Sequence, residues 1–373
     1  MYSHKKHTDF LINPREVLGD IDYEIACKRL GVKKISKGIK RELCPDNNKM
    51  NFLLRRDIIF AHNNLNEIID SQKQGTGFFI VTGRGPSNRM HMGHLIPFMF
   101  SKWLQDRFGV NVYIQIADDE KFLNTKHSID KIDEYANKNL LDIIALGFDK
   151  NKTFAFKHTE YIKNMYPLIL RINKCLKNFN SYKDMLGLED EWNPGLCFYP
   201  SVQIAGTALE SKQALAVVGL DQAPYYTIQN KIYDKLNIAK AGGIYNRLLP
   251  SLDPRNSKMN ASMPEGTIYL SDNPEDVETK IRRFFKTKDS LQKNKLSRML
   301  YYILEENDKS LKELKSAYLE KVWDSSNLED IVIDSIIRFL SIHENKKDHA
   351  ADNLIEYTEE GKLASVMRQK YYK

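Results

Sequence analysis

Short apolar runs recur through the middle of this chain, each closed by glycine or charged residues. Phe78-Phe79-Ile80-Val81 leads into Thr82-Gly83, and Asn111 to Ala117 leads into Asp118-Asp119. Phe154-Ala155-Phe156 leads into Lys157, and Leu215 to Val218 ends at Gly219. This pattern predicts strands over 78–82, 111–117, 154–156 and 215–218. Between them, residues near 93–107 and 130–146 carry apolar side chains at helical spacing. Strands alternating with helices imply an α/β fold with a parallel sheet.

Three regions follow from this pattern. Residues 1–74 read as a mostly helical segment, with helical spacing over Ile58 to Ile69 and a break at Gly75-Thr76-Gly77. Residues 75–262 hold the alternating part, with a helical insertion at about 124–200. Residues 263–373 read as an all-α region, with amphipathic or apolar stretches at Val277–Phe285, Leu296–Glu305 and Ile331–Ile342. No internal repeat or low-complexity tract interrupts them.

Composition narrows the class. With 373 residues, 42% hydrophobic and 28% charged, the chain supports packed globular units. No apolar run approaches the roughly 18 residues of a membrane span, and Met1-Tyr-Ser-His-Lys-Lys-His7 is no secretion signal, so a cytoplasmic protein is expected. Cys27, Cys44, Cys175 and Cys197 lack C-x-x-C spacing, against a zinc ribbon or disulfide framework. The net charge of +7 favours a polyanionic partner without establishing one.

Two segments carry the chemistry. Thr82-Gly-Arg-Gly-Pro-Ser-Asn-Arg-Met-His-Met-Gly-His94 follows the first strand and opens a helix. There, unpaired helix N–H groups and the helix dipole attract phosphate. Gly83, Gly85 and Gly93 permit close approach, and the spacing of His91 and His94 places both rings on one face of the first turn. Ser257-Lys-Met-Asn-Ala-Ser262 lies among turn formers, which predicts a mobile loop carrying the Lys258 ammonium to a developing charge.

His-Met-Gly-His with a later Lys-Met-x-Ala-Ser resembles the paired signatures of class I aminoacyl-tRNA synthetases. Thr82 to Ser87, Phe52-Leu-Leu-Arg-Arg56, Lys102-Trp-Leu-Gln-Asp106 and Asp118-Asp-Glu-Lys121 are similar to the archaeal and eukaryotic tryptophanyl-tRNA synthetases, over nearly the whole chain. The resemblance implies a Rossmann-like catalytic domain, a homodimer built through the insertion, and an anticodon-binding helical domain. It also implies three substrates: ATP with Mg2+ held mainly by its phosphates, L-tryptophan, and tRNA(Trp).

Site residues follow from the same resemblance. His91 and His94 would bind the ATP phosphates, and Lys258 and Ser262 the leaving pyrophosphate. Gly83, Arg84, Gly85, Gly93, Lys121, Asp221 and Met259 would contact ATP, with Asp221 at the ribose. Gln115, Glu120, Gln203 and Gln222 would hold tryptophan. Gln115, Asp221 and Gln222 also fall at or just beyond strand ends, where α/β sheets bind ligands.

The chain departs from the family at Val81, where a tyrosine usually shares recognition of the indole N–H, so selectivity leans on Gln115, Glu120 and pocket shape or is relaxed. Asn260 replaces a usual serine, a change the turn tolerates. A tyrosine-activating synthetase, a small-molecule nucleotidyltransferase and an inactive RNA- or protein-binding paralogue remain open readings. Trp323 and Tyr371-Tyr372 are aromatic platforms only if exposed, and aromatics at helical spacing usually pack in cores.

Overall fold

The fold is taken from a computed structural model describing residues 10–46, 49–176, 180–188, 193–253, 255–285, 298–319 and 325–370. A hairpin of β1 (Leu11–Ile12) and β2 (Val17–Leu18) precedes helices α1 (Tyr23–Leu30), α2 (Lys37–Leu43) and α3 (Phe52–Arg55). β3 (Lys33–Lys34) and β4 (Ile59–Asn63) alternate with them and are followed by α4 (Leu65–Lys73). Then come β5 (Phe78–Arg84), α5 (Met92–Phe108), β6 (Val112–Ile116), α6 (Asp118–Asn124), α7 (Ile129–Ile144), β7 (Thr153–Lys157) and α8 (His158–Cys175). α9 (Asn180–Leu186), α10 (Pro194–Ala205), β8 (Gln213–Gly219), α11 (Ala223–Leu236), β9 (Gly242–Asn246) and α12 (Pro274–Phe285) complete this part.

The central sheet runs β3-β4-β9-β8-β5-β6-β7. From β9 to β7 every pair is parallel, whereas β3 and β4 join antiparallel at one edge. Side chains alternate between two cores: Ile80, Val112, Ile114, Leu215 and Val217 face one, and Phe79, Val81, Tyr113, Ala214 and Ala216 face the other. Both faces are covered, as parallel sheets require.

One expectation fails. Ile58 to Ile69 is not helical throughout: Ile59 to Asn63 forms β4, and the helix starts only at Leu65. Ile58, Ile59, Phe60 and Ala61 are all buried, so the run meets core on both sides of a sheet, and Asn64 at φ 50° breaks it before α4. A continuous apolar run fits both a helix and a doubly buried strand.

Beyond α12 the described residues are helical, with Asp308–Leu319, Ser325–Ala351, Leu354–Thr358 and Lys362–Gln369 and a π-helical turn at Leu300–Leu304. They are fastened to the rest of the molecule. His343 Nε2 lies 3.3 Å from Asp142 on α7, and Asp308 accepts from Arg55 (2.5 Å) and Arg56 (2.7 Å). Lys362–Gln369 packs against β7, and the hydroxyl of Tyr161 on α8 donates to Met367 O at 2.9 Å. Trp323 and Tyr371-Tyr372 lie outside the described residues.

Candidate active site

The parallel strands all end on one side. β5, β6 and β7 succeed one another in one direction across the sheet, while β8 and β9 lie on the other flank of β5. The order therefore reverses between β5 and β8, where open α/β sheets leave a ligand crevice. A cavity of about 770 Å³ opens there.

The phosphate half of the cavity is built from the turn after β5. Met92 N–H donates to Ile268 O (3.1 Å) and Leu270 N–H to Met90 O (2.9 Å), which fixes His91 as the residue preceding α5. His91 N–H donates to His94 Nδ1 at 3.1 Å, so the proton of the neutral His94 ring sits on Nε2. The rings stack with centroids 3.4 Å apart. Burial first, then the Arg84 and Lys258 charges, push both imidazoles well below their ordinary pKa. Both rings are neutral at physiological pH, surrounded by cations.

Arg84 itself is pulled down to about 10 by burial, against the opposing pull of Glu120, and stays charged. Its Nε and Nη2, and Nδ1 of His91, are buried without a protein partner. Unsatisfied buried polar atoms are costly, and side chains holding them line this cavity. Gly83 has a packing role: a Cβ there would lie 2.5 Å from the backbone oxygen of Gln115. Gly85 lies under the Lys121 side chain, and Gly93 faces Leu249 at the cavity wall.

The second loop lies across the same cavity. Lys258 Nζ is 3.1 Å from Asp221 Oδ2, just beyond β8, so Asp221 holds the ammonium as well as facing the cavity. Hydrogen bonds seat the loop: Met259 N–H donates to Leu249 O (2.9 Å), Asn260 N–H to Thr267 Oγ1 (3.2 Å), and Ala261 O accepts from Asn88 Nδ2 (3.0 Å) and Tyr269 OH (2.7 Å). Met259 is buried at the wall. Ser262 is the one expected site residue that does not line the cavity. It is exposed, and its hydroxyl donates to Asn260 Oδ1 at 2.9 Å.

The other half is more aromatic. Gln115, Glu120, Gln203 and Gln222 line it with Tyr199 and Tyr225, whose rings meet edge to face. Tyr199 OH donates to Gln203 Oε1 at 2.6 Å, and Tyr226 also bonds to Gln203. Glu120 is buried between two cations: Lys121 at 2.8 Å and Arg15 from the β1–β2 hairpin. Val81 is buried and offers no polar atom.

Sequence reasoning missed Arg15, Tyr199, Tyr225 and His158. No local pattern marks Arg15, whose partner lies 105 residues away. His158 was within reach, because it directly follows β7, as Asp221 follows β8. Among the described residues, no cluster of histidine, cysteine and carboxylate side chains is arranged to hold a metal ion, and no helix is long and apolar enough to cross a membrane.

Comparison with known proteins reaches well beyond these loops. The family model for tRNA synthetases class I (W and Y) matches residues 73–362. A tryptophan–tRNA ligase of Sulfolobus acidocaldarius is 39% identical over 98% of this chain and 99% of its own length, and one from Pyrococcus abyssi is 35% identical over 97% of each. The crystal structure of Plasmodium falciparum tryptophanyl-tRNA synthetase matches with a TM-score of 0.82 at 31% identity, covering 92% of this chain and 98% of the other. That of the Encephalitozoon cuniculi enzyme bound to tryptophan matches at 0.83 and 28%, with the same coverage. Likeness along the whole length, and not at two loops alone, decides the matter: the chain belongs to the class I tRNA synthetases (W and Y), on the branch of the tryptophan–tRNA ligases.

Proposed function

We propose that this cavity activates L-tryptophan with ATP and then passes it to the 3′-terminal adenosine of tRNA(Trp). The observation that carries the reading is a single cavity joining His91, His94 and Lys258 to Gln115 and Gln203. In the first step a tryptophan carboxylate oxygen attacks the α-phosphorus of ATP. The bond from that phosphorus to the bridging oxygen breaks, and pyrophosphate leaves with the electron pair. In the second step a ribose hydroxyl of the tRNA attacks the acyl carbon and AMP leaves. Neither step needs a protein nucleophile.

The protein's task is to hold and stabilise charge. His94 Nε2–H is a neutral donor for phosphate oxygens, and Arg84, Lys121 and Lys258 supply positive charge around them. Lys258 exchanges its Asp221 partner for the departing pyrophosphate. Gly83, Gly85, Gly93 and Met259 shape the adenosine side. Gln115, Glu120, Gln203 and Gln222 hold tryptophan, with Tyr199 and Tyr225 beside its ring. Magnesium would be held mainly by the ATP phosphates and would neutralise part of their charge.

Residues 75–262 are read as the catalytic domain, 1–74 as an N-terminal segment packing on it, and 263–373 as the part that binds the anticodon region of the tRNA. A homodimer is supported by Tyr166 and Leu170, neighbours on one face of α8 that are both exposed. The cytoplasm, where tRNA is charged, is the proposed place of action.

ATP–pyrophosphate exchange with tryptophan and with tyrosine tests this. Tryptophan alone is expected to support exchange; tyrosine winning would reassign the substrate, and neither working would remove the synthetase reading. In the same assay His94→Ala is expected to slow adenylate formation by about 10²-fold. Tryptophan affinity should stay unchanged.

A further inference from the structure

A buried imidazole stands behind the amino-acid half of the cavity, and no step of the proposed chemistry uses it. His158, the first residue of α8, is fully buried. Its Nδ1 lies 2.9 Å from Asp119 Oδ1 and its Nε2 3.2 Å from Gln115 Oε1. A carboxylate only accepts, so Nδ1 carries a proton. Burial opposes a second proton, but the carboxylates of Asp119, Asp118 and Glu120 outweigh it and raise the pKa of the ring. Because Nδ1 faces the Asp119 carboxylate and Nε2 faces the oxygen of Gln115, an acceptor on each side, the geometry is that of a ring donating from both nitrogens, His158 to Gln115 included.

That bond decides which end of an amide faces which way. A glutamine side chain can turn over and put its NH2 where its oxygen was, and only its hydrogen-bond partners choose. Gln115 has few partners to choose from. Its neighbours in register are Gly83 on β5 and Phe156 on β7, neither with a polar side-chain atom. Its amide presses against the bare Cα of Gly206, which closes that side to it. The imidazole is itself held between Phe156, 6.3 Å away, and Tyr199, 6.1 Å away.

We infer that His158 is a positioning residue for amino-acid selectivity: the chain Asp119–His158–Gln115 fixes the Gln115 amide oxygen, leaving one of its lone pairs for the indole N–H of tryptophan. This rests on the reading of Gln115 as the indole contact.

The test compares tryptophan with benzothienylalanine, in which sulfur replaces the indole N–H in a ring of the same shape. The ratio of their kcat/KM values in ATP–pyrophosphate exchange is measured for the full-length protein, His158→Ala, His158→Gln and Gln115→Met. His158→Ala is expected to lower the ratio about tenfold, roughly the worth of one misplaced hydrogen bond, through a higher KM for tryptophan. KM for the analogue and for ATP should not move. His158→Gln, which keeps an N–H donor near the Nε2 position, should restore most of the ratio, and Gln115→Met should lose the preference.

An unchanged ratio in His158→Ala with a collapsed one in Gln115→Met overturns the inference and leaves Gln115 as the indole contact. An unchanged ratio in Gln115→Met removes that contact itself. Equal losses with both amino acids in His158→Ala mean a purely structural histidine and also overturn it. If His158→Ala does not fold, Asp119→Asn, which keeps the ring and removes the carboxylate, carries the same expectation, and an unchanged ratio there is equally decisive.

Discussion

At the scale of single residues, charge state governs the site. His91 and His94 stack at 3.4 Å, and both are held well below their ordinary pKa by burial and then by neighbouring cations. Only the unfolded chain readily protonates these rings. It therefore binds more protons than the folded chain below pH about 6.5, the ordinary histidine value. Their contribution is fully present above that pH and is lost as the pH falls below it. Urea midpoints are expected to drop from pH 7 to pH 5.5, and the drop should shrink in His91→Gln/His94→Gln; an unaltered drop would mean that other groups carry the acid sensitivity. This histidine pair was legible because both members share one turn. The actual place of Ser262 was not, because the neighbouring Asn260 takes its hydroxyl, a competition the motif does not display.

Among elements, the reading succeeded where period and length agreed and failed where they did not. The helix expected near 93–107 is α5, and the strand expected at 111–117 is β6. Ile58 to Ile69 misled because its apolar run suits either state, and its strand partners β3 and β9, the second far along the chain, settle it. Gly83 was read as permitting close approach of backbone or ligand, and at this position the adjacent strand makes the approach. Since a methyl there would lie 2.5 Å from Gln115 O, Gly83→Ala must push β5 and β6 apart at the cavity. The expected cost is about 1–3 kcal/mol of stability, from overpacking. KM for tryptophan should rise with it, because Gln115 moves with its strand; thermal unfolding and exchange kinetics check both parts.

Over the whole molecule, long-range ties outweigh region boundaries. Asp308 sits against Arg55 and Arg56, whose hydrogen bonds hold its carboxyl below the usual range despite some burial. Arg56 also donates to Tyr301 O (2.8 Å) and Glu305 O (2.5 Å), tying the C-terminal helices to the end of α3. Asp308→Ala is expected to cost on the order of 1 kcal/mol, since the carboxylate is partly exposed. It should slow tRNA charging several-fold while leaving pyrophosphate exchange intact; equal losses in both assays would deny that this clamp serves the tRNA. None of these ties could be read from local pattern, because the ends of each are about 250 residues apart.

The seat of Met367 against Tyr113 and Tyr161 has a consequence for biogenesis, since its partners are translated 254 and 206 residues earlier. While the ribosome is still at work, the aromatic patch around Tyr113 and Tyr161 lacks the part of its cover that the helix Lys362–Gln369 provides. Nascent chains would expose it to chaperones, and a message cut short before that methionine would yield a sticky product however complete its catalytic loops.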